Sequence, residues 1–251
     1  HVVGFGHNNN QIPEAPMTST DADRAAEFPN LTVDHAMRNP PIRPGFWRGV
    51  NVNQNAVYLE CFMDEMAAAA GRDPLEFRLA HLKNSPKSAA VLKAVAQKSG
   101  WGSGDGKSRG LALFHAFGSY VAACADVTVD GSGDLSINRI VAATDCGTAV
   151  NPQQIEAQIE GSFVYGLSAA LYGEITYENG QVQQDNFHTY PSMRIKDMPE
   201  VHSIVMPSGG FYGGVGEPTI SVAAPAVLNA IFAATGTRIR TLPLKDQKLR
   251  A

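Results

Sequence analysis

Cysteine is scarce in this sequence. There are three, Cys61, Cys124 and Cys146, in 251 residues. They lie far apart and form no CxxC pair, which argues against a disulfide framework and against an iron–sulfur or zinc site carried by this chain. Positive charge is also limited. Lys and Arg number 20 against 24 Asp and Glu, a net charge of −4. With no basic tract to neutralise phosphates, nucleic acid is not expected as a main partner. No apolar run approaches the length needed to span a bilayer, and no signal-peptide pattern opens the chain. The seven histidines are scattered, no two of them at metal-ligand spacing on one helix face. His115 and His188 read as strand or loop residues, and no direct protein ligand to a metal is expected. No repeat of fixed period is present. The start, His1-Val2-Val3-Gly4-Phe5-Gly6, lacks Met and reads as an interior point of a longer polypeptide.

Apolar residues, at 44%, are plentiful enough to bury a sizeable core. Residues 1–48 hold Pro13, Pro16, Pro29, Pro40, Pro41 and Pro44 and lack periodicity, so an irregular arm is expected there. Helical spacing begins at Asn51 and runs to Ala70, with Gly71 as its stop. Asp73-Pro74-Leu75-Glu76 restarts a helix, with Asp73 as N-cap and Pro74 in the first position. A third helix is expected from Ser88 to Ser99, closed by Gly100. After a Gly/Ser/Asp linker the period becomes that of strands: Gly110 to Ala116, Tyr120 to Val129 and Leu135 to Thr144. Asn151-Pro152 opens a long helix reaching Leu171. Gly161 and Gly166 interrupt it, which suggests close backbone contact on one face. Asn179-Gly180 marks a two-residue hairpin, and Glu200 to Met206 reads as a strand. A last helix spans Thr219 to Thr235, where Pro225 requires a kink or a late start. The fold class is α+β, in two parts: residues 1–105, an arm and helices, and 106–251, strands mixed with helices.

The most unusual stretch is Gly209-Gly210-Phe211-Tyr212-Gly213-Gly214-Val215-Gly216-Glu217-Pro218, five glycines in ten residues. Glycine allows φ > 0 and close approach of another molecule to the main chain. Pro218 suits a first helical turn. Glu217 is therefore expected at a helix mouth, either as a cap stabilised by the dipole or as a catalytic acid or base. A P-loop would need Gly-Lys-Ser/Thr, and Glu217-Pro218 stand there instead. Gly214-Val215-Gly216 begins a dinucleotide fingerprint, but Thr219 occupies the position of its last glycine and the strand context is weak. Arg48, in Gly45-Phe46-Trp47-Arg48-Gly49, is either a surface cation–π partner or an anion or cofactor clamp. Gln158, on an apolar helix, needs a hydrogen-bond partner, which is either a loop or a cofactor.

At these residues the chain resembles the C-terminal part of the molybdopterin-binding large subunit of the xanthine oxidase family of molybdenum hydroxylases. It is similar to the bacterial branch of isoquinoline 1-oxidoreductase β subunits and related aldehyde dehydrogenases. Four colinear segments carry the resemblance. They are Phe46-Trp47-Arg48-Gly49-Val50 with Gln54-Asn55; Asp64 to Ala67 running into Gly71 to Arg78; Asp145-Cys146-Gly147 through Asn151-Pro152 to Gly161; and Gly214 to Pro218 with Ala224-Pro225-Ala226. The resemblance implies that Glu217 is the general base beside molybdenum. It implies that Gly214, Val215 and Gly216 form the loop approaching the metal's ligands, and that Gln158 and Arg48 contact the pterin region. Trp47 and Val50 become substrate-pocket positions, with Val50 small where some family members place an aromatic. The implied cofactor is a molybdenum–molybdopterin, in the cytosine dinucleotide form, with [2Fe-2S] clusters on a partner subunit. The implied partners are the remainder of the molybdopterin subunit, an iron–sulfur subunit, and a cytochrome c or FAD subunit, in a cytoplasmic or periplasmic bacterial hetero-oligomer. Glycine-rich segments of the GGxFG and GQG types are missing, so this chain is expected to supply only part of the cofactor pocket. The implied reaction is oxidation of an aldehyde or N-heterocycle with water as the oxygen source. Two alternatives differ in class. One is a non-catalytic assembly or binding domain that keeps the fold. The other is a nucleotide-dependent enzyme, which tight binding of free nucleotide without molybdenum would reveal.

Overall fold

The computed structural model describes residues 45–247 and Leu249. Most of the irregular arm expected over residues 1–48 therefore lies outside the described residues. Three helices come first: α1 (Val52–Ala69), α2 (Pro74–Ala80) and α3 (Pro86–Ser99). Strands β1 (Ser108–Ala116), β2 (Ser119–Val129) and β3 (Leu135–Asp145) follow, then α4 (Pro152–Tyr172). The chain continues through the short pair β4 (Tyr177–Glu178) and β5 (Gln181–Val182), then β6 (Glu200–Val205) and α5 (Ala223–Thr235). This is the α+β arrangement that the sequence periods predict.

Local chemistry sets the boundaries. The Asp73 carboxylate accepts the N–H groups of Leu75 at 2.9 Å and Glu76 at 3.0 Å, capping α2. The Asn151 side chain accepts the Gln154 N–H at 3.3 Å and caps α4. Gly100 and Gly236 close α3 and α5 in the left-handed conformation. Asn179 and Gly180 both take positive φ, as a two-residue hairpin between β4 and β5 demands. Pro225 forces a late start: a 3-10 turn over Pro218–Val222 precedes α5, so Pro225 falls in the first α-turn, where no N–H is missed.

The main sheet has the order β1-β2-β3-β6, antiparallel except for the parallel β3–β6 pair. Both faces are buried, and alternate residues serve different layers. Ala112, Phe114, Val121, Ala123, Ile140 and Ala142 face a core completed by α1, α4 and α5. Leu111, Leu113, Ala122, Cys124, Val141 and Ala143 face α3. Residues on either side of position 105 share these clusters. Gly110 lets α5 lie directly on β1: a Cβ there would stand 2.1 Å from the Ala230 nitrogen and 2.3 Å from the Ala226 oxygen. Gly166 in α4 likewise meets Ala223, as close contact requires, whereas Gly161 has room. One expectation needs correction. Pro218–Thr235 is long and apolar enough to cross a membrane, but 72% of it is buried inside the fold, the signature of a core helix.

The free edge of β1 is closed by a buried charge cluster. Arg78, fully buried, pairs its Nε with Glu60 at 2.9 Å and its Nη1 with Asp64 at 3.5 Å. Its Nη2 donates to the carbonyls of Glu60 and Leu111. The Glu60 carboxylate accepts the Leu113 N–H at 3.0 Å, and the Asn229 amide donates to Leu111 O at 2.9 Å. Side chains thus complete the hydrogen bonds that an adjacent strand would have made. Arg78→Ala is expected to destabilise the chain by about 3–5 kcal/mol, because Glu60 would stay buried without its cation, while Asp64 would keep only Arg238. A fall in the denaturant midpoint and in soluble yield measures it.

Candidate active site

The glycine-rich loop follows β6 and leads into the 3-10 turn. Its backbone is held from two sides. The Gly213 N–H donates to Cys146 O at 2.8 Å and the Gly214 N–H to Phe117 O at 2.8 Å. The buried Ser119 hydroxyl donates to Gly214 O at 2.7 Å. Gly213 is required by this fit: a Cβ would stand 2.2 Å from Ser119 Oγ and 2.6 Å from Gly118 O. The Gly209 N–H donates to Gly147 O, and Phe211 O accepts the Thr148 N–H. The loop therefore rests on the β1–β2 turn and on the segment after β3.

Arg48 closes the site from the other end of the chain. Its Nε donates to Gly216 O at 2.6 Å. Its Nη2 reaches Gln158 Oε1 at 3.0 Å, Gln158 O at 3.3 Å and Ser162 Oγ at 3.0 Å. One guanidinium thus joins the entry to α1, the second turn of α4 and the glycine loop. Burial pushes its pKa down, while Glu217 and then Tyr165 pull it up. It stays a cation, as arginine does.

Glu217 sits at the mouth of the 3-10 turn, as expected, but its side chain does not cap that turn. Its Oε1 instead accepts the Gly49 N–H at 2.9 Å. The turn carrying Gly49 is braced by Asn53, whose amide donates to Arg48 O at 2.8 Å and Val50 O at 3.3 Å. Val50 has φ +50°, an unusual conformation for a β-branched residue, imposed by this tight turn. Arg48, Gln158, Gly216 and Glu217 therefore converge, with Gly214, Val215 and Val50 beside them in the same loop and turn. Trp47 points elsewhere. Its ring packs on Tyr165, centroids 4.6 Å apart. It also lines a cavity of about 790 Å³ between α1, α4 and α5, along with Tyr58, Phe62, Tyr190 and the Glu65–Arg240 ion pair. Neither Glu217 nor Val50 lines that cavity. We take the Arg48–Glu217 convergence, not the larger cavity, as the candidate site, because it gathers the polar groups.

Sequence reasoning did not single out Ser162, Asn53 or Tyr165. A signal existed for two of them. Ser162 lies one helical turn after Gln158, and Tyr165 a further turn on, so all three share one side of α4. Asn53 gives no such signal, since its role depends on the turn it braces.

A family profile described as the molybdopterin cofactor-binding domain matches residues 49–199. The isoquinoline 1-oxidoreductase β subunit of Brevundimonas diminuta is 34% identical over 227 residues, covering 88% of this chain and 29% of that protein. A nicotinate dehydrogenase subunit of Pseudomonas putida is 33% identical over 246 residues, covering 90% of this chain and 21% of that protein. The chain thus spans less than a third of the length of these relatives. Among solved structures, the aldehyde oxidoreductase of Desulfovibrio gigas superposes with a TM-score of 0.60 over 80% of this chain and 41% of that one. At 16% identity this is a likeness of fold.

Two outcomes are expected. Arg48→Lys keeps the charge but cannot bridge three elements. It should lower the local stability of the loop by about 1–3 kcal/mol, read as faster hydrogen exchange over residues 213–220. Cys61, on the cavity wall, has its thiol pushed up to about 12 by burial first and then by Glu60 and Asp64. At pH 8 it should alkylate at least about a hundredfold more slowly than a free cysteine, because only the thiolate reacts. Timed iodoacetamide labelling with peptide mapping checks this.

Proposed function

Because the chain belongs to the molybdopterin cofactor-binding family, as part of a xanthine oxidase-type large subunit, we propose that it supplies the base-bearing side of a molybdenum-cofactor site. The enzyme would be a hydroxylase or dehydrogenase oxidising an aldehyde or N-heterocycle with water as the oxygen source. One observation carries this reading: Arg48, Gln158, Gly216 and Glu217, from three distant parts of the sequence, meet through direct hydrogen bonds.

The donor set suits the cofactor. Among the described residues, the N–H groups of Val215 and Gly216 meet no acceptor, and neither does the Gln158 side-chain amide nitrogen. Gln158 is exposed and Gly216 half-buried, so these donors are accessible. Such a row of N–H groups beside a guanidinium fits the acceptor oxygens of a molybdenum centre and its pterin. When bound, the cofactor supplies the two-electron oxidation and makes water a competent nucleophile near neutral pH.

This chain's residues do the rest. Gly49 holds Glu217 Oε1, so the carboxylate keeps one orientation and Oε2 is left to take a proton. Arg48 fixes Gly216 O and Gln158 Oε1, aligning the loop N–H groups and the Gln158 amide. Val50, in the turn beside the Glu217 anchor, and Trp47, on the wall of the neighbouring cavity, are both assigned substrate-contacting roles. Its proposed partners are the remainder of the molybdopterin subunit, an iron–sulfur subunit carrying [2Fe-2S] clusters, and a cytochrome c or FAD subunit. The proposed pterin form is the cytosine dinucleotide.

Glu217→Gln, made in the complete enzyme, is expected to keep its molybdenum content and lower turnover by about 10²-fold or more. Metal analysis with steady-state assays on an aldehyde and an N-heterocycle series tests it. Near-normal turnover would remove Glu217 as the base, and a complete wild-type enzyme without molybdenum would overturn the wider reading.

A further inference from the structure

The glycine loop has few handles. Five of the residues from 209 to 218 are glycine, and Tyr212 is 79% exposed. Phe211 is the large loop side chain that is held. Its ring lies under Lys87, whose Nζ is 3.7 Å from the ring centroid. Tyr120 meets the same ring edge-on at 6.3 Å and is itself stacked on His115 at 4.2 Å. Lys87 Nζ also lies 5.8 Å from the Tyr120 centroid.

The position of Lys87 is unusual. It is the second residue of α3, right after Pro86, so its charge lies at the positive end of the helix dipole, where acids are preferred. Among the described residues it forms no ion pair. The contacts that remain to it are the faces of two aromatic rings, an arrangement that attracts a cation. Phe211 is gripped at its main chain too. Its carbonyl accepts from Thr148, and its neighbour Gly213 donates to Cys146 O.

We propose that Lys87 is a positioning residue: through the Phe211 ring it ties α3, on the far face of the sheet, to the loop that presents Gly214 to Glu217. This rests on the reading of Glu217 as the base for its effect on turnover, but not for its effect on the loop. A flexible glycine segment loses entropy when it is fixed, so each side-chain tether shifts the fraction of time that the loop is in register. The reporters are three loop amides with carbonyl partners: Gly209 to Gly147, Gly213 to Cys146 and Gly214 to Phe117.

Lys87→Gln and Lys87→Arg, in the complete enzyme, separate this from a general packing role. With Gln, hydrogen exchange in the peptide covering residues 207–217 should rise about two- to fivefold, while α3 and the sheet stay unchanged. That range matches loss of a partly exposed cation–π contact. Turnover should fall by a similar factor at unchanged molybdenum content and little-changed KM. With Arg, which keeps a cation over the ring, both should return to wild-type values. Unchanged loop exchange in Lys87→Gln, or a failure of Arg to restore it, would overturn the proposal. Faster loop exchange together with full activity in Glu217→Gln would leave the tether standing and remove only the base.

Discussion

A single buried guanidinium fixes the frame on which the site is built. Arg78 takes no part in the candidate site, yet it sits where α1, α2 and the edge of β1 meet. A strand edge left open inside a protein would carry unmet N–H and C=O groups. Here Glu60, Arg78 and Asn229 meet them with side-chain atoms. The charges are tolerated in a dry place because each is paired and hydrogen-bonded in several directions. Arg238 adds a second cation to Asp64 at 2.7 Å, bringing the segment after α5 into the same cluster. The cluster thereby ties α1 to the edge of the sheet. The turn just before α1 carries Arg48 and Gly49, so its reach toward the loop is set by that anchorage.

The loop itself contributes almost no preference of its own. Glycine permits many conformations, and the observed one is chosen by what surrounds it. Ser119, Phe117 and Cys146 hold one end, Arg48 holds the other, and Gly49 turns the Glu217 carboxylate away from its own helix. A carboxylate at a helix mouth would ordinarily cap that helix. Diverting it to a main-chain N–H from another part of the chain frees the helix end and fixes one oxygen. That is a positioning arrangement.

The division between the polar convergence and the apolar cavity is informative about Trp47. The resemblance implied a substrate-pocket role for both Trp47 and Val50. Trp47 turns its ring to Tyr165 and the cavity, while Val50 stays in the strained turn beside the Glu217 anchor. Two residues three apart in sequence thus serve opposite sides of one turn. The reversal follows from the positive φ of Gly49 and Val50, which sends the chain back on itself before α1 begins.

Much of the fold was legible in the sequence. Caps such as Asp73 and Asn151, stops such as Gly100, the Asn179-Gly180 hairpin and the change from helical to strand period all act locally, so each can be read from a few neighbouring residues. The motifs around Arg48, Gln158 and Glu217 were legible as a family pattern, and their residue types suggested chemistry. What local pattern could not supply was partnership. Arg48 stood open between a surface cation and a clamp, and Glu217 between a cap and a tool. The structure adds contacts 110 and 168 residues apart in sequence: Arg48 bonds Gln158, and Glu217 accepts the Gly49 N–H rather than capping its own turn. Lys87 carries no sign of its neighbour Phe211 for the same reason. Short-range forces fixed the helices, strands and turns; only the packing of α1, α4 and the glycine loop around one sheet decided which donor meets which acceptor.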